Sequence, residues 1–171
     1  WTFVLVLRYS GLRISDAVLL GRTQLVAGAD GDGYGLVVQQ QKVRRSVYIP
    51  LPDGRDGQPD VVTALNSLPL KNEKYFFWDG AGESERAVNN WRSRLMKLFR
   101  LAESRTGEGK PFASKPHPHR FRHTFAAEYL SAGVPIETVS LLLGHASVKV
   151  TERHYAKFNR ARQERIDDAV R

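Results

Sequence analysis

The segment from residue 119 to residue 155 constrains the fold most, because its apolar spacing and its helix breakers leave room only for short helices. A helix is predicted to begin at the start of this segment and to end at Gly133-Val134-Pro135. Its buried face would carry Phe121, Phe125, Tyr129 and Leu130. Two further short helices are predicted over 135–142 and 148–155, with Gly144-His145 between them.

The same segment holds side chains suited to chemistry on a phosphate. His119 and Arg122 are three residues apart, so one side of a helix presents both. Arginine offers a planar fork of donors that matches phosphate oxygens, and histidine can carry a proton near neutral pH. His145 and Tyr155 follow, and a tyrosine hydroxyl can act as a covalent nucleophile.

Three interpretations of this set compete. The first is a metal site, because His117, His119 and His123 include a pair at i, i+4 spacing, although two arginines between them would repel a cation. The second is that these histidines and Tyr155 serve separately as capping and core residues. The third is that the arginine, the histidines and the tyrosine surround one phosphodiester, which requires a further arginine upstream.

The upstream half predicts helices and a hairpin. Residues 1–9 are apolar all round and predict a buried helix, and a second helix is expected over 12–20. Glycines then mark turns, and residues 36–41 and 46–49 predict two strands of a hairpin. Three basic residues near the tip of this hairpin are suited to contact the phosphate backbone of a nucleic acid: Lys42, Arg44 and Arg45.

The middle of the chain predicts a short helix, an apolar run and one long helix. Asp60 could cap a helix that extends to Leu68, and residues 75–78 are expected in the core. A long helix should begin at residue 83 or 84 and continue to about Ala102. Its apolar stripe would contain Val88, Trp91, Leu95, Leu98 and Phe99, and its polar face Arg86, Asn89, Asn90, Arg92, Arg94 and Lys97. The predicted fold is therefore a single α+β domain, mostly α-helical with a small antiparallel β-sheet.

Charge and composition narrow the class of partner. The chain has 26 Lys and Arg against 18 Asp and Glu, a net charge of +8, which favours nucleic acid first and an acidic membrane surface second. There is no cysteine, which removes disulfides, thiolate nucleophiles and Cys-ligated zinc. No apolar run approaches the roughly 18 residues of a membrane span. The first residue is Trp1 and not Met, so we expect a fragment of a longer protein. We also expect the protein to be intracellular.

Four motifs, in order along the chain, resemble the catalytic domain of tyrosine recombinases, the phage-integrase family. They are Gly11-Leu12-Arg13-Ile14-Ser15-Asp16, His119-x-x-Arg122-His123-Thr124-Phe125-Ala126, Leu143-Gly144-His145 and Tyr155. The resemblance covers nearly the whole chain and implies the tyrosine recombinase catalytic-domain fold for residues 1–171. It also implies that the N-terminal core-binding domain of the family's full-length members, which clamps DNA, is absent.

The resemblance implies a role for each motif residue. Arg13 and Arg122 would clamp the scissile phosphate, and Tyr155 would attack it to give a 3′-phosphotyrosine intermediate. His119 would be the acid–base group and Lys42 the general acid for the leaving 5′ oxygen. His145 would donate a hydrogen bond to the phosphate, and Asp16 would support the site from behind. No metal and no other cofactor is implied. We expect His117 and His123 to be structural and His154 to be a surface residue.

The resemblance also implies double-stranded DNA as the partner, with Arg86 and Asn90 near bases and Arg94 near backbone. Residues 160–171 predict a charged helix that either docks on a neighbouring subunit, giving a homotetramer on paired DNA sites, or folds back in a monomer. The expected location is the cytoplasm of a bacterium, nucleoid-associated, in a bacterial or phage-derived protein. Alternatives are a type IB topoisomerase-like nicking-closing enzyme, a catalytically inactive DNA-binding module and a metal-dependent hydrolase.

Overall fold

A computed structural model describes residues 1–29, 31–40, 45–105, 112 and 115–155, with backbone only at 40, 45 and 105. Two predicted site residues, Lys42 and Arg44, lie outside the described residues. So do the predicted tail helix over 160–171 and the side chain of Arg45.

The chain opens with two helices joined by a tight turn. Helix α1 spans Thr2–Ser10 and buries Phe3 and Leu5 to Leu7. Helix α2 spans only Ile14–Val18, so the prediction of a helix over 12–20 was wrong in its extent. The reason is conformational: Gly11 ends α1 at φ 63°, and Arg13 is extended at φ −67° and ψ 153°, before α2 begins.

A three-stranded antiparallel sheet follows, in the order β1-β2-β3. Strands β2 (Tyr34–Gln40) and β3 (Arg45–Leu51) form the predicted hairpin, with Leu36 opposite Ile49 on the buried side. Strand β1, Leu25–Ala27, was not predicted, because three residues are too few to show an alternating pattern. It pairs with β2 and extends the hairpin by one strand.

Helices α3 and α4 continue the domain. Helix α3, Val61–Asn66, begins as predicted at Asp60, whose carboxylate accepts a hydrogen bond from the Thr63 amide at 2.7 Å. Helix α4, Ser84–Arg105, packs against α2. It buries Val88 and Leu95 but leaves Leu98 42% exposed, so the apolar stripe is narrower than predicted.

An aromatic cluster joins α1 to α4 through the apolar run before α4. The ring of Phe3 stacks on Trp91 at 4.1 Å between centroids and meets Phe77 edge-on at 4.9 Å. The indole nitrogen of Trp91 donates to the Phe77 carbonyl oxygen at 3.0 Å. Phe76 is buried, and Phe77 and Trp78 pack against the core, which confirms the prediction for these three residues of the run.

The last described segment forms three short helices: α5 (His119–Ser131), α6 (Ile136–Leu143) and α7 (148–155). Helix α5 packs against α1 and buries Phe125 and Leu130, as the spacing predicted. The same buried face includes Arg122, which is only 3% exposed. Among the described helices, none has the length and apolar character needed to span a membrane.

Candidate active site

Arg122 connects three of the four motifs through its side chain. Its Nη1 donates to the Gly11 carbonyl oxygen at 2.8 Å, and its Nη2 donates to the Leu143 carbonyl oxygen. Gly11 lies two residues before Arg13, and Leu143 lies two residues before His145. The guanidinium therefore fixes the position of both neighbouring motifs relative to α5.

Arg13 shares this site with Arg122. Its side chain is 48% exposed, and its Nη1 lies 4.0 Å from an Asp16 carboxylate oxygen. Burial and the positive charge of Arg13 lower the pKa of Arg122, Tyr155 and Asp16 oppose this effect, and the resulting pKa is about 10. Arg122 therefore remains a cation at neutral pH, and together with the Arg13 guanidinium it creates a site for an anion.

His145 enters the site because α6 ends just before it. Gly144 adopts φ 64°, and the His145 amide donates to the Ser140 carbonyl oxygen at 3.1 Å. The His145 Nδ1 lies 2.7 Å from the hydroxyl oxygen of Thr151, which is fully buried. Burial and the charges of Arg122 and Arg13 lower the pKa of His145 to about 4, so its imidazole is neutral at pH 7.

His119 begins α5 at the edge of the same cluster. Loss of hydration, followed by the neighbouring His123 and Arg122, lowers its pKa to about 4. Its side chain is nevertheless exposed, so water screens part of this effect. His119 can therefore act as a neutral hydrogen-bond donor or acceptor to a bound group.

Tyr155 lies on α7, four residues after Thr151, and is 4% exposed. Its hydroxyl oxygen lies 2.8 Å from His123 Nδ1. Burial raises the pKa of Tyr155, and the charge of Arg122 partly offsets that increase. The phenol is therefore protonated at neutral pH and must lose its proton to attack.

The structure brings together the predicted residues that it describes in the motifs, namely Arg13, Asp16, His119, Arg122, His145 and Tyr155. The predicted DNA contacts on α4 lie apart from the motifs in sequence. Arg86, Asn90 and Arg94 are exposed and line an open groove of about 620 Å³ with Trp78 and Trp91.

Sequence reasoning missed two partners in the site, His123 and Thr151. Their positions offered a signal: His123 lies one helical turn after His119, and Thr151 one turn before Tyr155. The ring centre of His123 lies 5.0 Å from that of His119 and 6.2 Å from that of His154. Within the described ranges, no three His, Asp or Glu residues are arranged to hold a metal ion, so the metal interpretation gains no geometric support.

Known proteins match most of this chain in sequence. The Phage integrase family matches residues 2–162. The tyrosine recombinase XerD of Brucella abortus is 31% identical over 144 residues, covering 84% of this chain and 43% of XerD. The chain thus spans less than half the length of this curated relative.

Solved structures share the fold. The Tn1549 transposon integrase, in complex with transposon right end DNA, superposes with a TM-score of 0.64 at 20% identity, covering 97% of this chain and 58% of that chain. The catalytic domain of bacteriophage HP1 integrase gives a TM-score of 0.53 at 22% identity, covering 92% of this chain and 73% of that chain. Because the family match extends over most of the chain and includes all four motifs, this chain belongs to the phage integrase family of tyrosine recombinases.

Proposed function

We propose that this chain is the catalytic domain of a site-specific DNA recombinase or integrase, which cleaves and rejoins strands through Tyr155. The observation that carries the proposal is that the Arg122 guanidinium, bonded to the Gly11 carbonyl oxygen two residues before Arg13, lies close enough to Arg13 and Tyr155 for both to shift its pKa. Two guanidinium groups can hold the nonbridging oxygens of a phosphodiester and stabilise the charge that grows on them in the transition state.

The proposed reaction exchanges one phosphodiester for another. The Tyr155 oxygen attacks phosphorus, the bond to the 5′ oxygen breaks, and the DNA is left joined through a 3′-phosphotyrosine. Lys42 is the proposed acid for the leaving oxygen, and His119 and His145 contact the phosphate. A 5′ hydroxyl from another strand reverses the step. The bond energy is conserved in the adduct, so the chemistry needs no nucleotide, and the two guanidinium groups supply the positive charge that a metal ion would otherwise provide.

DNA binding must also uncover the nucleophile. Tyr155 is 4% exposed, and in-line attack requires its oxygen to face phosphorus opposite the leaving group. We propose that engagement of a duplex opens the surface beside Tyr155, so that the phosphate reaches the hydroxyl while His123 stays in contact with it. Arg86, Asn90 and Arg94 on the exposed side of α4 would contact the same duplex, with Arg44 and Arg45 of the hairpin on its backbone.

The proposed assembly is a homotetramer on paired double-stranded DNA sites, with residues 160–171 exchanged between subunits. The proposed place of action is the nucleoid within the cytoplasm. Both proposals follow from membership of the family.

A duplex nicked close to the cleavage site tests the function, because the short released strand diffuses away and traps the covalent complex. We expect the unaltered chain to form a complex that resists denaturant, with or without a chelator, and Tyr155→Phe to form none. Recombination of two paired sites would support a recombinase. Relaxation of a supercoiled plasmid without recombination would support the topoisomerase-like alternative, and absence of any covalent complex would leave a DNA-binding module.

A further inference from the structure

His123 makes a contact that the proposed clamp does not require. Its Nδ1 lies 2.8 Å from the Tyr155 hydroxyl oxygen, the atom that forms the new bond to phosphorus. The contact joins α5 to α7 across 32 residues of sequence. The two groups are within the distance at which a proton passes directly from donor to acceptor.

We propose that His123 accepts the proton that Tyr155 loses as its oxygen attacks phosphorus, a role that rests on the proposed strand cleavage. His119, the acid–base candidate from the sequence, lies one helical turn earlier, at the exposed start of α5. From this position, His119 is better placed to contact the phosphate than to accept the proton of the buried Tyr155 phenol. His123 is half-buried and has its nitrogen already on the hydroxyl.

The surroundings of His123 keep it neutral before DNA binds. Burial lowers its pKa, and so do the cationic or titratable groups around it, which lie on α5, on α7 and just before α5: His154, His117, Arg120 and Arg122. A neutral imidazole with its hydrogen on Nε2 leaves Nδ1 free to accept the Tyr155 hydroxyl hydrogen. A bound phosphodiester brings negative charge beside these cations, which raises the pKa of His123 when a base is needed.

The step balances in protons and bonds. The bond from the Tyr155 oxygen to phosphorus forms while the bond from phosphorus to the 5′ oxygen breaks. The hydroxyl proton moves to Nδ1 of His123, and a separate acid protonates the leaving oxygen. In the reverse step, His123 returns its proton to Tyr155 as the phenol leaves.

A substrate with sulfur at the bridging 5′ position isolates this half of the reaction, because a thiolate leaves without an acid. We expect His123→Asn to slow adduct formation about 10²-fold or more, since an amide oxygen can accept the hydrogen bond but cannot take the proton. The rate should recover as pH rises toward the pKa of the phenol. His117→Asn is the matched control; its ring centre is 6.5 Å from that of His123, and its rate should stay unchanged.

The pH profile distinguishes a proton acceptor from a merely structural residue. In the unaltered chain, adduct formation should fall on acidification as His123 becomes protonated and can no longer accept the proton. That decrease should be absent in His123→Asn. If the variant forms the adduct at the unaltered rate with the same profile, His123 is not the acceptor, although the proposed function stands. If the unaltered chain forms no adduct at Tyr155, the proposed function itself fails, and this inference with it.

A measurement on the unaltered chain avoids dependence on how a variant folds. Nitrogen-15 NMR of the histidine rings should show Nδ1 of His123 without a bound hydrogen at pH 7, and its shift should change in Tyr155→Phe. A hydrogen on Nδ1 would make His123 the donor in this contact and would overturn the inference.

Discussion

Arg122 is a charged side chain placed in the core, and its two carbonyl partners explain how the fold tolerates it. A guanidinium has five N–H donors in a rigid fork, and the contacts to Gly11 and Leu143 each engage one terminal nitrogen. The remaining donors can serve a phosphate. The same side chain therefore holds the motifs in place and binds the proposed substrate.

Replacing Arg122 by lysine tests whether the guanidinium fork, and not only its positive charge, stabilises the fold. Arg122→Lys keeps the cation but loses the fork, leaving at least one buried carbonyl unpaired. We expect a loss of about 1.5–3 kcal/mol in the free energy of unfolding, measured in urea. Arg120→Lys is the control, because residue 120 is exposed on the same helix and should change stability by less than about 0.5 kcal/mol. Equal stability of the two variants would contradict the structural role of Arg122.

The depressed pKa values of His119 and His145 predict how stability depends on pH. Both pKa values are about 4 in the folded chain, whereas a histidine outside the folded environment has a pKa of 6.5. At pH values between these two, the unfolded chain binds more protons than the folded chain. The free energy of unfolding should therefore fall as pH decreases from 7 to 5. Urea midpoints at the two pH values measure this fall, and His145→Gln should reduce it. The exposed His119 contributes less than its shift implies. A midpoint that is higher at pH 5 would contradict these protonation states.

At the scale of elements, the site depends on where helices end. Helices α1 and α6 each end on a glycine in the left-handed conformation, at Gly11 and Gly144. Arg13 and His145 follow within two residues, so each enters the site from a turn just beyond a helix. Close packing adds a second constraint at Gly11, because a Cβ there would lie 2.6 Å from Cδ1 of Phe125 on α5.

The substitution Gly11→Ala should therefore destabilise the domain by about 2 kcal/mol or more, from left-handed backbone strain and from the clash together. Gly133→Ala is a suitable comparison, since Gly133 also has a positive φ, 89°, after a helix, but nothing lies within 4 Å of its added Cβ. We expect only the backbone cost there, about 1–2 kcal/mol. Thermal unfolding of both variants measures the difference, and equal losses would show that the contact with Phe125 is unimportant.

The helices and their contacts also show which features of the fold can be predicted from the sequence. Periodicity predicted α5, because Phe125 and Leu130 are spaced for one buried face. It overextended α2, since the apolar Leu12 fits a helical pattern although Arg13 is extended. It did not reveal the contact between His123 and Tyr155, or that between His145 and Thr151. The first depends on how α5 and α7 pack across 32 residues of sequence, and the second on how the turn after α6 meets α7 six residues later; helical spacing marks the positions but not these contacts.

At the scale of the whole molecule, the net charge of +8 favours a polyanion, and α4 presents part of that charge on its exposed side. Arg86 and Arg94 are two turns apart on this helix and line the same groove. A helix of this length and polarity can enter a DNA groove and place side chains on both bases and backbone.

Neutralising one of these charges should weaken binding to duplex DNA. We expect Arg86→Ala to reduce affinity and, if the residue contacts a phosphate, to lower the slope of log affinity against log salt by about 1. Fluorescence anisotropy over a range of salt concentrations measures both. Arg55→Ala removes the same charge from an exposed residue already paired with Asp53 and Asp32, and should leave the slope unchanged. Indistinguishable effects of the two changes would mean that α4 is not the DNA-contacting surface.

The most direct measurement is to digest the trapped protein–DNA complex and identify the modified peptide by mass spectrometry. We expect a single nucleotide-bearing residue, Tyr155, attached through a 3′ phosphate, and no modified peptide from Arg122→Gln. Attachment at any of the other five tyrosines, or through a 5′ phosphate, would contradict the assignment of Tyr155 as the nucleophile that Arg13 and Arg122 serve.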